Sequence, residues 1–151
     1  MTGRSAGEAD CPTPSHAYVP GQTQRHPEGT FAEICETARP GNDVEALVRS
    51  KAWCCGLEWL SKGFFWEAHE VFEPVWMSLP QKSPERQLVQ ALIQLANAGL
   101  KAKMGRPKAT TRLLNMAEEH LSACRAGGAE VLMGLRLDKP ARWIEERRAR
   151  L

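Results

Sequence analysis

The chain has 151 residues, a formal net charge of +2, 42% hydrophobic and 25% charged residues. That length suits one domain with a substantial core, and so small a net charge gives no electrostatic case for a nucleic-acid or anionic-membrane partner. The first thirty residues are polar and rich in Pro and Gly without an apolar segment, which predicts no leader peptide.

Residues 1–29 are expected to form an extended N-terminal arm. Pro12, Pro14, Pro20, Gly21, Pro27 and Gly29 break any regular element through most of it. The first dozen residues are expected to be disordered, while the stretch from Tyr18 to Glu28 carries side chains suited to packing on the domain. Arg25 and His26 are expected on a loop surface. Residues 30–151 then read as a single helical domain. Thr30 with Glu33, and Asn42 with Glu45, have the spacing of capping boxes; they open a short helix to Ala38 and a longer one to about Ser61, stopped at Gly63. A central helix follows from Phe64 to Leu79. Pro74 inside it removes the amide that would bond the Glu70 carbonyl, which predicts a bend.

The clearest start is Ser83-Pro84-Glu85, an N-cap, a first-position proline and an acidic first turn. That helix runs to about Met104. It is apolar around most of its circumference, with Gln87, Gln90, Gln94, Asn97 and Lys101 on one stripe, so it is a core helix. Its run from Leu88 to Leu100 is interrupted by three amides, which excludes a membrane span there. Arg106-Pro107 turns into a helix from Lys108 to about Arg125, closed by Gly127-Gly128. A weak apolar segment, Val131 to Leu137, precedes a last helix from Asp138, whose interleaved Arg and Glu residues read as a solvated face. Strand alternation is nowhere convincing. The expected fold class is all-α, a compact bundle of about five to six helices. Five cysteines (Cys11, Cys35, Cys54, Cys55 and Cys124) show no C-x-x-C spacing and are odd in number. The expectation is neither a zinc ribbon nor a disulfide framework but a reduced, cytoplasmic protein.

The chemistry concentrates in residues 64–76, Phe-Phe-Trp-Glu-Ala-His-Glu-Val-Phe-Glu-Pro-Val-Trp. At about 100° per residue with His69 at 0°, Trp76, Phe65 and Phe72 fall near −20°, −40° and −60°, Glu73 near +40° and Trp66 near +60°. His69 and Glu73 are therefore neighbours beside an aromatic stripe expected to face the core, whereas Glu67, near 160°, is expected in solvent. A buried carboxylate is costly unless paired, hydrogen-bonded or metal-bound, so His69 and Glu73 are the focus. Gln90 and Gln94 are expected to line a polar pocket with them.

Residues 63–76, taken with Gln90-Ala91-Leu92-Ile93-Gln94-Leu95-Ala96, resemble the DUF309 family of small helical proteins. The Gly105-Arg106-Pro107 turn and the Leu-Leu helix after it continue the likeness, which covers roughly residues 44–124; the arm from Tyr18 to Glu28 is also similar to bacterial members. The resemblance implies an all-α bundle and little about activity, since the family is a domain of unknown function sometimes tagged as a predicted metal-dependent hydrolase. This chain has Lys101 where many members carry His.

Three readings of the site follow. In the first, His69 and Glu73 ligate a divalent metal such as zinc, with Glu70 or Glu73 as general base. A third ligand is then needed, for which His120, His26 and Glu70 are the candidates, because the metalloprotease pattern requires His where Glu73 stands. In the second, His69 and Glu73 are a buried structural pair joined by Gln90 or Gln94 and an indole N–H. In the third, Trp66, Phe72 and Trp76 wall a non-catalytic pocket for a small polar ligand or a peptide, or an aromatic face that docks a partner or a second copy. The structural and binding readings together lead, with the hydrolase as the alternative.

Overall fold

The computed structural model describes residues 10–151, which form two compact units, residues up to 79 and residues 80–151. Residues 1–9, which hold most of the stretch expected to be disordered, lie outside the described residues.

In the first unit a non-helical arm leads into α1 (Ala32–Cys35), α2 (Val44–Arg49), α3 (Lys51–Lys62) and α4 (Phe65–Ser78). The helix expected from Asn42 to Ser61 is in fact two. Ser50 breaks it in extended geometry (φ −67°, ψ 147°), its hydroxyl donating to the Leu47 carbonyl (2.6 Å) and accepting the Trp53 amide (3.2 Å). One side chain thus ends α2 and caps α3. The cap of α2 is Asp43, which accepts the Ala46 amide at 2.8 Å, and not Asn42. Gly63, with φ of 88°, closes α3 in the left-handed conformation, and the Phe64 amide reaches back to the Trp59 carbonyl at 2.9 Å. That tight stop lays α4 against α3 as a helical hairpin.

The hairpin core holds Trp53, Trp59, Phe72, Val71 and Val75, all nearly inaccessible to water. Gly56 of α3 faces Phe72 so closely that a Cβ there would lie 2.5 Å from the ring. A side chain at position 56 would push the helices apart, so glycine sets their spacing. Pro74 lies inside α4. The Glu70 carbonyl, deprived of its helical amide, accepts from the Cys35 thiol at 3.5 Å, which ties α1 to α4.

The arm is no loose extension. Pro14, Val19 and His26 are buried, and the Trp59 indole donates to the Pro12 carbonyl at 3.0 Å. Cys11 is joined to Cys55 in a disulfide, with Cα atoms 5.4 Å apart across 44 residues of sequence. The absence of a disulfide inferred from an odd cysteine count is therefore wrong. Oddness says only that one thiol is left over, and here three remain, Cys35, Cys54 and Cys124.

The second unit pairs α5 (Pro84–Lys103) with α6 (Pro107–Arg125), adds a two-stranded antiparallel ladder β1 (Val131–Leu132) and β2 (Leu135–Arg136), and ends in α7 (Asp138–Ala149). Ser83 caps α5 as expected, accepting the Arg86 amide at 3.1 Å. Leu88, Val89, Leu92, Ala96 and Ala98 are fully buried, while Gln87, Gln90, Gln94, Asn97 and Lys101 are half-buried. The amide stripe is real. The hairpin was not expected: Met133 (φ 51°) and Gly134 (φ 74°) form a two-residue turn with both residues left-handed, and the ladder is too short for alternation to reveal it. Among the described residues seven helices dominate, and the fold is helical as the sequence implies.

Candidate functional site

The buried carboxylate of α4 is Glu67, not Glu73. The Glu67 side chain is 0% exposed and its partner His26 only 3%, and the His26 Nε2 lies 2.6 Å from Glu67 Oε2. With the proton on Nε2 the imidazole donates to the carboxylate. The same oxygen accepts the Tyr18 backbone amide at 2.8 Å. Two arm residues therefore converge on one oxygen of α4. The other oxygen, Oε1, is buried and has no hydrogen-bond partner among the described residues. Both expectations for these residues fail: Glu67 is not in solvent, and His26 is not on a loop surface.

Aromatic rings hold the imidazole in place. His16 stacks on it at 4.5 Å between centroids, Trp66 lies at 5.8 Å, and Phe31 meets it edge-on at 5.1 Å. Tyr18 packs edge-on against Trp66 at 5.2 Å. Flat rings fix orientation at low entropic cost and exclude water from the His26–Glu67 contact. The arm turns that present these groups are also tied. The Thr23 hydroxyl accepts the Val19 amide (2.7 Å) and donates to the Ala17 carbonyl (2.8 Å), and Thr30 Oγ1 donates to the Pro27 carbonyl.

Beside this pair opens a cavity of about 630 Å³ whose walls include Arg25, Glu28, Phe31, Cys35, Trp66 and Glu70. His26 contributes to it as well, so one residue belongs both to the buried pair and to the cavity wall. The Cys35 thiol on this wall is pushed up to about 11, first by burial and then by the carboxylates of Glu70, Glu73 and Glu36. A thiol so disfavoured as thiolate is a poor nucleophile. Cys124, in the second unit, is also pushed up to about 11, mainly by burial.

Of the residues singled out from sequence, His69, Glu70 and Glu73 do come together. The His69 Nε2 lies 3.3 Å from Glu73 Oε2 and its Nδ1 3.5 Å from Glu70 Oε2. The side chains are 25%, 52% and 40% exposed for His69, Glu73 and Glu70 respectively, so this is a surface cluster and not a buried pair. Trp66 and Trp76 are half-buried, and only Trp66 lines the cavity. Gln90 and Gln94 lie on α5 in the second unit. His120 accompanies them there, its Nδ1 2.8 Å from the Gln87 side-chain oxygen, with its basicity lowered by burial against a smaller opposing effect of Glu119. Among the described residues no three His, Cys, Asp or Glu side chains are arranged to hold a metal ion. The donors near His69 do not complete a ligand set among the described residues.

The residues that sequence reasoning missed are Glu67, His26 and Tyr18 as one unit. A signal existed, since Val71 and Val75 put aliphatic bulk on the side of α4 where Glu67 lies.

No helix among the described residues is long and apolar enough to cross a membrane. No curated protein and no solved structure gives a match to this chain. One family model does match, over residues 53–113, from Trp53 in α3 through α4 and α5 to Leu113 in α6. Its description is Domain of unknown function (DUF309), and over those residues the chain is similar to that family.

Proposed function

We propose that the first unit is a binding module in which the arm closes over the start of α4 and leaves a preformed pocket for a small polar ligand. The observation that supports this reading is the shared residue: His26 is fixed by Glu67 and by three rings, and it also walls the 630 Å³ cavity. A wall anchored in this way spends little entropy on ordering when a ligand enters. The volume falls in the range of about 300–1,000 Å³ usual for small-molecule sites. Arg25, Glu28, Thr30 and Glu70 provide polar groups, and Trp66 and Phe31 provide flat apolar surface, a mixture suited to orienting a small molecule.

The test is a thermal-shift and tryptophan-fluorescence screen of the intact chain against small polar molecules, with Trp66→Ala beside it. Trp66 is at the wall, so an occupant should change its emission. A ligand that raises the melting temperature of the native chain and has at least tenfold lower affinity for Trp66→Ala supports the proposal. A chemically broad set in which nothing binds, or in which binding is indifferent to Trp66, overturns it. Metal analysis of the purified chain serves the hydrolase alternative: stoichiometric metal lost in both His69→Ala and Glu73→Gln would support that reading instead.

A further inference from the structure

The charges around the cavity are unevenly distributed. Glu28 and Glu70 line it, Glu36 and Glu73 lie close enough to act on the Cys35 thiol in its wall, and the aromatic rings in the wall are those of Trp66 and Phe31. Against these stands one cation in the lining, Arg25, on the exposed side of the arm. The His26 Nε2 is already committed to Glu67. We infer that the cavity selects an organic ammonium ion, a primary amine or quaternary ammonium of a few carbons, held between carboxylates and aromatic side chains.

The inference rests on the binding reading of the same cavity and adds the charge of its occupant. Carboxylates and indole faces attract a cation by the same field, the first as full charges and the second through the ring quadrupole. The same carboxylates act on the Cys35 thiol in the wall. Beyond the effect of burial, the carboxylates of Glu70, Glu73 and Glu36 each raise it further, as a region of negative potential must. An anion would meet the same carboxylates as repulsion and would have Arg25 alone in its favour. A neutral molecule of equal shape would use the rings and forgo the charge. Glu70 is shared, since one of its oxygens is 3.5 Å from His69 Nδ1, but that contact lies on the partly exposed surface of α4.

The experiment titrates the intact chain with choline and n-butylamine as cations, 3,3-dimethylbutan-1-ol as the neutral isostere of choline, and butyrate as the anion. Binding is read by calorimetry and tryptophan fluorescence. The expected result is cation binding at least tenfold tighter than the neutral isostere, no measurable butyrate binding, and a loss of fivefold or more in Glu70→Gln and in Glu28→Gln. Both variants replace partly or wholly exposed side chains, so unchanged circular dichroism and melting temperature are expected alongside. Equal affinity for the isostere, preference for butyrate, or cation binding indifferent to both substitutions would overturn the inference while leaving a ligand pocket in place. Failure of all four probes, with the wider screen also empty, would remove the pocket itself.

Discussion

Replacing His26 with Ala tests the structural reasoning most directly. The substitution leaves Glu67 fully buried, with one oxygen retaining only the Tyr18 amide and the other without a partner among the described residues. Breaking a buried pair by removing one member costs about 3–5 kcal/mol, because the survivor is uncompensated. For a chain of this length about 1 kcal/mol corresponds to about 2–4 °C, so the expected fall in melting temperature is roughly 6–20 °C. His69→Ala is the comparison. Its partners Glu70 and Glu73 are 40% and 52% exposed, solvent screens the pair, and the expected loss is under about 1 kcal/mol. The assay is thermal and urea denaturation followed by tryptophan emission, which reports mainly the first unit, since Trp53, Trp59, Trp66 and Trp76 belong to it and only Trp143 does not. Adding Glu67→Gln to His26→Ala removes the stranded carboxyl group, so the double variant should lose less than the sum of the two single losses by more than about 1 kcal/mol. If His26→Ala costs no more than His69→Ala, or if the two changes simply add, the assignment of the buried pair is wrong.

Other consequences are open to simpler checks. Titration of thiols in the unfolded chain should give three per molecule before reduction and five after, and reduction of the Cys11–Cys55 link should lower stability by about 4 kcal/mol on chain entropy for a 44-residue separation; five thiols without reductant would refute it. Gly56→Ala should destabilise by about 1–3 kcal/mol through its contact with Phe72, even though Ala is the better helix former; a gain in stability by urea titration would show that α3 and α4 are not that close. In a Cys54→Ser, Cys124→Ser background, alkylation of Cys35 at pH 8 should be far slower than in the denatured chain and should rise with pH towards about 11, because only the thiolate reacts and the folded site disfavours it. Equal rates in the folded and denatured states would contradict the buried, acid-flanked placement.

Much of the architecture was legible because it rests on local chemistry. Ser83-Pro84 opens α5 where the cap pattern says it must, Gly63 and Gly105 end their helices, and the amide stripe of α5 is the half-buried side of an otherwise buried helix. Pro74 even predicted an orphan carbonyl at Glu70. What supplies its partner, Cys35, is 35 residues away, and no local pattern encodes that contact. The disulfide was lost for a related reason: counting cysteines ignores which ones the fold brings within reach. The break at Ser50 was missed because the apolar face continues through it, whereas the backbone follows the hydroxyl.

The buried carboxylate was misplaced by a weighting of side chains, and the error can be traced on the helical wheel of α4. Taking the aromatics alone puts the apolar centre between Phe72 and Trp66, near 0°, with His69 upon it. The residues that are in fact buried, Phe65, Phe72, Ala68, Val75 and Val71, run from about −40° to −160° at 100° per residue, with Glu67 next along at the same angular step. Aromatic rings drew the reading toward Trp66 and Trp76, which are only half-buried, because a large amphipathic ring can lie at the edge of a core with part of its surface in water. Small aliphatic residues have no such option and mark the centre more faithfully. Glu67 at that flank must therefore be met by something, and Tyr18 and His26 of the proline-rich arm supply it. The buried pair thus follows from two facts that the sequence holds separately, an aliphatic flank on α4 and a polar, ring-bearing arm, and the fold is what joins them.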